Sequence, residues 1–249
     1  MSTQLYFAVC SNQEVLKYTF SSWDWEGKPL NLLVAFPFLK TWRGATSGEE
    51  EWKPKSLMLD SGAYSAWKSG ATIDIDALCE EAANPDWDEV VALDVIGNAR
   101  AGLDNARYMK SKGLKVMPVF HFAEDWSFLQ AYKDEFERVG LSSGEGVNRK
   151  TRYKWLEQCF ARAYPCRFHL FGCGVLETLL KFPFATADTA SWHSEIRFGR
   201  SDAFPGLRLP RKSEVGVEAY NLQLTVRHYL NIQSQVQERW ATELSWADL

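Results

Sequence analysis

Three aspartates stand where an apolar run gives way to small residues. They are Asp60 in Leu57-Met58-Leu59-Asp60-Ser61-Gly62-Ala63-Tyr64, Asp94 in Val90-Val91-Ala92-Leu93-Asp94-Val95-Ile96-Gly97, and Asp188 in Phe184-Ala185-Thr186-Ala187-Asp188-Thr189-Ala190-Ser191-Trp192. Three β-like runs ending in an acid suggest carboxylates converging on one pocket. Paired carboxylates without a metal suit glycosyl chemistry, in which one attacks the anomeric carbon and another moves protons. His121 ends the run Met117-Pro118-Val119-Phe120-His121, and the turns Ser142-Ser143-Gly144-Glu145-Gly146 and Gly172-Cys173-Gly174 stand at comparable ends. Small residues there leave space and backbone N–H groups for a ligand.

Each position also has a plainer reading. An Asp at a strand end is often the N-cap of the next helix. At Asp60 the cap could equally be Ser61, whereas Asp94 precedes the still apolar Val95-Ile96, where capping is less natural. His121 could be a satisfied buried histidine, and the Ser142-Ser143-Gly144 turn only a turn. Cys166, His169 and Cys173 lie close together, but on a strand Cys166 and His169 point to opposite faces, and no C-x-x-C pair exists. A G-x-S-x-G elbow for Ser-His-Asp hydrolysis is also lacking.

The elements that must position these residues alternate. Candidate strands are Leu5–Val9, Asn31–Phe36, Ser56–Leu59, Glu89–Asp94, Lys115–Phe120, Arg138–Leu141, Arg167–Phe171 and Phe184–Ala187, short and rich in Val, Leu and Phe, as strands covered on both faces are. Between them lie helical patterns at Ile75–Ala83, Ala99–Ser111, Asp125–Glu137, Thr151–Ala163 and Val175–Lys181. The longest, Ala219–Trp240, closes the chain. Ser21–Lys28 and Lys40–Pro54 read as loops. Such alternation predicts an α/β fold with a parallel sheet closed as a (β/α)8 TIM-type barrel, one domain over residues 1–249. The doubly wound alternative is weakened because no glycine-rich phosphate fingerprint follows the first strands.

The 249 residues can bury a large core, and 46% hydrophobic with 24% charged residues is ordinary for a globular protein. No apolar run approaches the ~20 residues that span a bilayer. Five scattered cysteines favour reduced thiols and a cytoplasmic setting over a disulfide framework. Net charge is −4, yet Arg197, Arg200, Arg208, Arg211 and Lys212 cluster, as do Arg149, Lys150, Arg152 and Lys154. Either patch could bind phosphates or be solvated surface.

Read together, Leu-Asp-Ser-Gly-Ala-Tyr-Ser (59–65), Leu-Asp-Val-Ile-Gly (93–97), Pro-Val-Phe-His-Phe (118–122), Gly-Leu-Ser-Ser-Gly (140–144), Phe-His-Leu-Phe-Gly (168–172) and Ala-Asp-Thr-Ala-Ser-Trp (187–192) resemble the tRNA-guanine transglycosylase superfamily. The resemblance is greatest to its shorter branch, the 7-deazaguanine DNA transglycosylases of phages and bacteria. It implies a (β/α)8 barrel that exchanges guanine in a nucleic acid for a free 7-deazaguanine base, without a cofactor. On it, Asp188 corresponds to the nucleophile that holds the sugar covalently and Asp60 to the acid/base. Asp94 and His121 would read the base. The resemblance further implies that Ser61, Gly62, Ser143, Gly144 and Gly172 line the substrate and that Arg197, Arg200, Arg208 and Arg211 hold phosphates. No cysteine follows Cys173 and the chain is short, so a zinc subdomain is not expected, which puts DNA ahead of tRNA as partner. A hydrolytic N-glycosidase or nucleoside-processing enzyme on the same barrel is the alternative. A homodimer or a partner protein stays open, and no membrane association is expected.

Overall fold

The computed structural model describes residues 3–9, 12–48, 53–193 and 214–242. The strands are β1 (Gln4–Val9), β2 (Asn31–Ala35), β3 (Ser56–Asp60), β4 (Glu89–Val91), β5 (Val116–Met117), β6 (Val119–His121), β7 (Arg138–Ser142), β8 (Arg167–Leu170) and β9 (Thr186–Thr189). The helices are α1 (Gln13–Ser21), α2 (Leu39–Thr46), α3 (Ala63–Ser69), α4 (Ile75–Ala82), α5 (Ala99–Ser111), α6 (Trp126–Glu135), α7 (Arg149–Ala163), α8 (Leu176–Lys181) and α9 (Val215–Thr242).

All strand pairs are parallel, in the order β5-β4-β3-β2-β1-β9-β8-β7-β6. β5 and β6 are one extended run interrupted at Pro118, which has no N–H to give to a ladder. The Met117 carbonyl accepts from Ala92 N–H on the β4 side at 2.9 Å, and the Pro118 carbonyl accepts from Gly140 N–H on the β7 side at 2.8 Å. The run therefore joins both ends of the sheet, and the strands close into an eight-staved (β/α) barrel, as the alternation predicted.

Alternation along each strand sorts side chains into two cores. Leu5, Phe7 and Val9 of β1, Leu32 and Val34 of β2, Val139 and Leu141 of β7, and Phe168 and Leu170 of β8 face outward under the helices in the main core. The opposite parity fills the barrel with Tyr6, Leu33, Met58, Val91, Met117 and Val119. That inner filling is mostly apolar on the β1–β6 side, where Asn31 and Glu89 are its buried polar members. On β7–β9 the same parity brings in Arg138, His169, Thr186 and Asp188. Because Asp60 and Asp188 lie two residues beyond Met58 and Thr186, they keep the inward direction and end at the C-terminal mouth.

Helix starts show which acids act as caps. Side chains of Asn12, Asp74, Asn98, Asp125 and Asn148 cap α1, α4, α5, α6 and α7. Asp94 is relieved of that task by Asn98, and α3 starts at the left-handed Gly62 with no side-chain cap bond. The strand-end aspartates are thus free for other work. Lys40–Pro54, expected as loop, contains most of α2, whose Leu39, Trp42 and Ala45 make a buried stripe. α9 seals the bottom beside β1 and α8: Gln233 accepts from Leu5 N–H at 2.7 Å, Gln237 donates to the Thr3 carbonyl at 2.8 Å, and Trp240 Nε1 donates to the Leu179 carbonyl at 2.9 Å.

Candidate active site

A cavity of about 740 Å³ opens at the C-terminal ends of the strands. Asp60, Asp94 and Asp188 all line it, with His121, Ser143, Gly144 and Gly172. The sequence expectation of one shared hollow for acids from separate strands therefore holds. Ser61 and Gly62 are not on its wall. Ser61 is fully buried with its hydroxyl accepting from Ala63 N–H at 3.4 Å, and Gly62 packs behind Asp60 against Pro37. Arg197, Arg200, Arg208 and Arg211 lie outside the described residues.

Asp60 is the most perturbed acid here. Desolvation, followed by the charges of Asp94 and Asp188, pushes its pKa up to about 7, against the opposing hydrogen bond from Gly62 N–H to Oδ2 at 3.0 Å. At neutral pH such a carboxyl can either give or take a proton.

Asp94 does not end its strand as expected but lies three residues past Val91, the last residue of β4, and meets His121 from the end of β6, with Asp94 Oδ2 2.7 Å from His121 Nε2. Burial opposes a charge on His121, but the Asp94 hydrogen bond, the Asp94 charge and that of Glu124 together raise its pKa above the ordinary histidine value. The Glu124 carboxylate also accepts from His121 N–H at 3.0 Å, fixing the strand end. A protonated His121 presents a positive donor to a developing oxyanion.

Asp188 is held differently. Its Oδ1 accepts from Gly172 N–H at 2.8 Å and lies 3.3 Å from His169 Nε2. His169 is wholly buried, and its Nδ1 is 2.8 Å from Thr186 Oγ1. Below it, Arg138 Nη1 donates to Thr186 Oγ1 at 3.2 Å and to Glu89 at 2.7 Å. Arg138 can only donate, so Thr186 accepts from it, and the Thr186 hydrogen is left for His169 Nδ1 in the tautomer that carries the imidazole proton on Nε2. In that tautomer the Nε2 proton points at Asp188. Glu89, Arg138, Thr186, His169 and Asp188 form one directed chain along the barrel interior.

The remaining wall contains residues that sequence reasoning did not assign to the site. Phe38, Tyr64, Trp67 and Phe171 supply aromatic surface, and Arg152 a cation. Tyr64 and Lys68 both hydrogen-bond Glu145, Lys68 at 2.8 Å, bridging α3 to the β7–α7 loop across the mouth. Arg152 belonged to the basic run 149–154, which the fold divides. Arg149 turns out to Glu177 at 2.6 Å, whereas Arg152 reaches the cavity. His169 was considered only as a metal ligand with Cys166 and Cys173. Its inward parity shared with Asp188, readable once β8 and β9 are paired, was the missing signal. Among the described residues no group of three or more His, Cys, Asp or Glu is placed to hold a metal ion. No described helix is long and apolar enough to cross a membrane.

No known protein family matches the sequence, and no curated protein does. Solved structures do match in fold. A mutant tryptophan synthase alpha-subunit from Pyrococcus furiosus is 14% identical at a TM-score of 0.56, covering 92% of this chain and 98% of that one. A putative fructose-1,6-biphosphate aldolase from Coccidioides immitis is 12% identical at 0.59, covering 96% and 92%. These enzymes overturn the resemblance to the tRNA-guanine and 7-deazaguanine DNA transglycosylases, and with it the guanine-exchange reaction. The hydrolytic N-glycosidase alternative gains no support either. The physical reason lies in the motifs themselves. Polar and small residues at strand ends are what barrels of this type gather at their mouth, so six short matches in order report the architecture. The chain shares with the tryptophan synthase alpha-subunit and the aldolase a parallel barrel fold, whose mouth, here, carries three aspartates.

Proposed function

We propose that the protein is a lyase-type enzyme that cleaves, or in reverse joins, a carbon–carbon bond beside a carbonyl by acid–base catalysis. The observation that carries this reading is the convergence of Asp60, Asp94 and Asp188 in one cavity, with Asp60 pushed up to about 7. The lyase-type names among the structural neighbours support the direction.

In the cleavage direction Asp188 takes the proton of a substrate hydroxyl. Its Oδ1 is already occupied by Gly172 N–H and His169, so Oδ2 is the acceptor. As the hydroxyl oxygen becomes a carbonyl, the adjacent carbon–carbon bond breaks and its electrons pass to the neighbouring carbonyl oxygen. Asp60, entering protonated, gives that oxygen its proton, while His121 stabilises the charge building there. One proton is taken and one given, and water exchange resets both acids after release. Positioned acid–base groups contribute ~10²–10⁴-fold each.

The test is proton NMR in heavy water of the protein with small aldol-type compounds, including fructose 1,6-bisphosphate. Wild type should cleave, or exchange the carbon-bound proton of, at least one of them, and Asp60→Asn should slow this by ~10²–10⁴-fold. Turnover should fall as pH rises through about 7, where Asp60 loses its proton. Turnover undiminished in Asp60→Asn removes the reading.

A further inference from the structure

Arg152 has no role in the acid–base scheme, yet it lines the same cavity. Its Nε is buried and without a hydrogen-bond partner among the described residues. Other cations are engaged, Arg138 with Glu89, Lys68 with Glu145, Arg149 with Glu177 and Lys181 with Glu157. Among the described residues no carboxylate lies at ion-pair distance from Arg152. Its backbone is fixed in the first turn of α7, where its N–H donates to the Asn148 carbonyl at 3.0 Å, so the side chain starts from a fixed point beside the cavity.

A guanidinium stays charged at every accessible pH and presents a planar fork of donors that fits two oxygens of one anion. Held unpaired on a cavity wall, it has the form of a receptor for an oxyanion. Gly172 and Cys173 line the same cavity, and Phe38, Tyr64 and Trp67 offer apolar surface for the rest of a ligand.

We propose that Arg152 is an anion-binding residue of this cavity, and that the substrate carries a carboxylate or phosphate group which Arg152 grips while the reacting carbons lie among the aspartates. The inference rests on the acid–base reading of the same site. It sets the substrate class as a small organic anion and makes Arg152 the specificity-determining residue.

Titration of the intact protein with inorganic phosphate in one arm and malonate in the other, followed by calorimetry and by the Arg152 Nε–H signal in nitrogen-15 NMR, tests this. At least one anion should bind saturably and shift that signal. Arg152→Gln should weaken binding by at least about tenfold, the scale of a charge-assisted hydrogen bond, and Arg152→Lys by less. The tighter arm identifies phosphate or carboxylate. Asp60→Asn should keep the anion site while losing turnover, so failure of the lyase reading would leave this result standing. Neither anion binding to wild type, an unmoved Arg152 signal, or equal affinity in Arg152→Gln would each overturn the proposal.

Discussion

Asp60 works in an environment hostile to its charge, and that hostility reaches beyond catalysis. Its folded pKa of about 7 is above its unfolded value of 3.8, so the folded protein binds more protons between these values. Its contribution to stability is therefore complete below about 4 and is lost as pH rises towards 7. Replacing it with Asn removes the titration. Thermal melts of Asp60→Asn and wild type should differ little at pH 4 and favour the variant clearly at pH 8. A constant difference across that range would contradict the assignment. The second residue-scale expectation concerns His169. Thr186→Val removes the hydroxyl beside its Nδ1; with the proton on Nε2 in wild type, it should redistribute towards Nδ1 in nitrogen-15 NMR, with Thr186→Ser restoring wild-type signals. An unchanged tautomer in Thr186→Val would break the directed chain. The aspartates were legible in the sequence because an acid closing an apolar run is a local pattern. His169 and Arg152 were not, since their roles depend on pairing and on which way one turn of helix faces.

At the scale of elements, the strand pattern carried well and the early helices did not. Val, Leu and Phe in short runs revealed the staves to within a residue or two, except that β4 ends at Val91, three residues before the expected Asp94. α1 and α2 escaped because their turns mix polar residues and Gly44 into the apolar stripe, and α3 because it is only seven residues long. The start of α3 matters for the site. Gly62 holds φ 77°, and a Cβ there would come within 2.3 Å of Pro37 Cδ. Gly62→Ala should thus combine a left-handed backbone penalty with a clash, costing roughly 1–3 kcal/mol. A denaturant midpoint unmoved by Gly62→Ala would show that the Asp60 turn has more freedom than its geometry implies. Pro118 is the opposite case. Expected inside one strand, it instead divides that run into β5 and β6, with the Met117 carbonyl bonded towards β4 and the Pro118 carbonyl towards β7.

For the molecule as a whole, the same closure that made the fold legible made the family reading misleading. Barrel geometry brings small residues and acids to one mouth whatever the reaction, so the (β/α)8 expectation survived while base exchange did not. What remains specific is how strongly the acids act on each other across strands β3, β4 and β9, far apart in the chain. Carbon-13 NMR titration of the Asp60 carboxyl, in wild type and in Asp94→Asn and Asp188→Asn, measures that interaction directly. The expected midpoint in wild type is about 7, and it should fall in each variant as a neighbouring negative charge is removed. A midpoint near the ordinary 3.8, indifferent to both substitutions, would contradict the shared acid site.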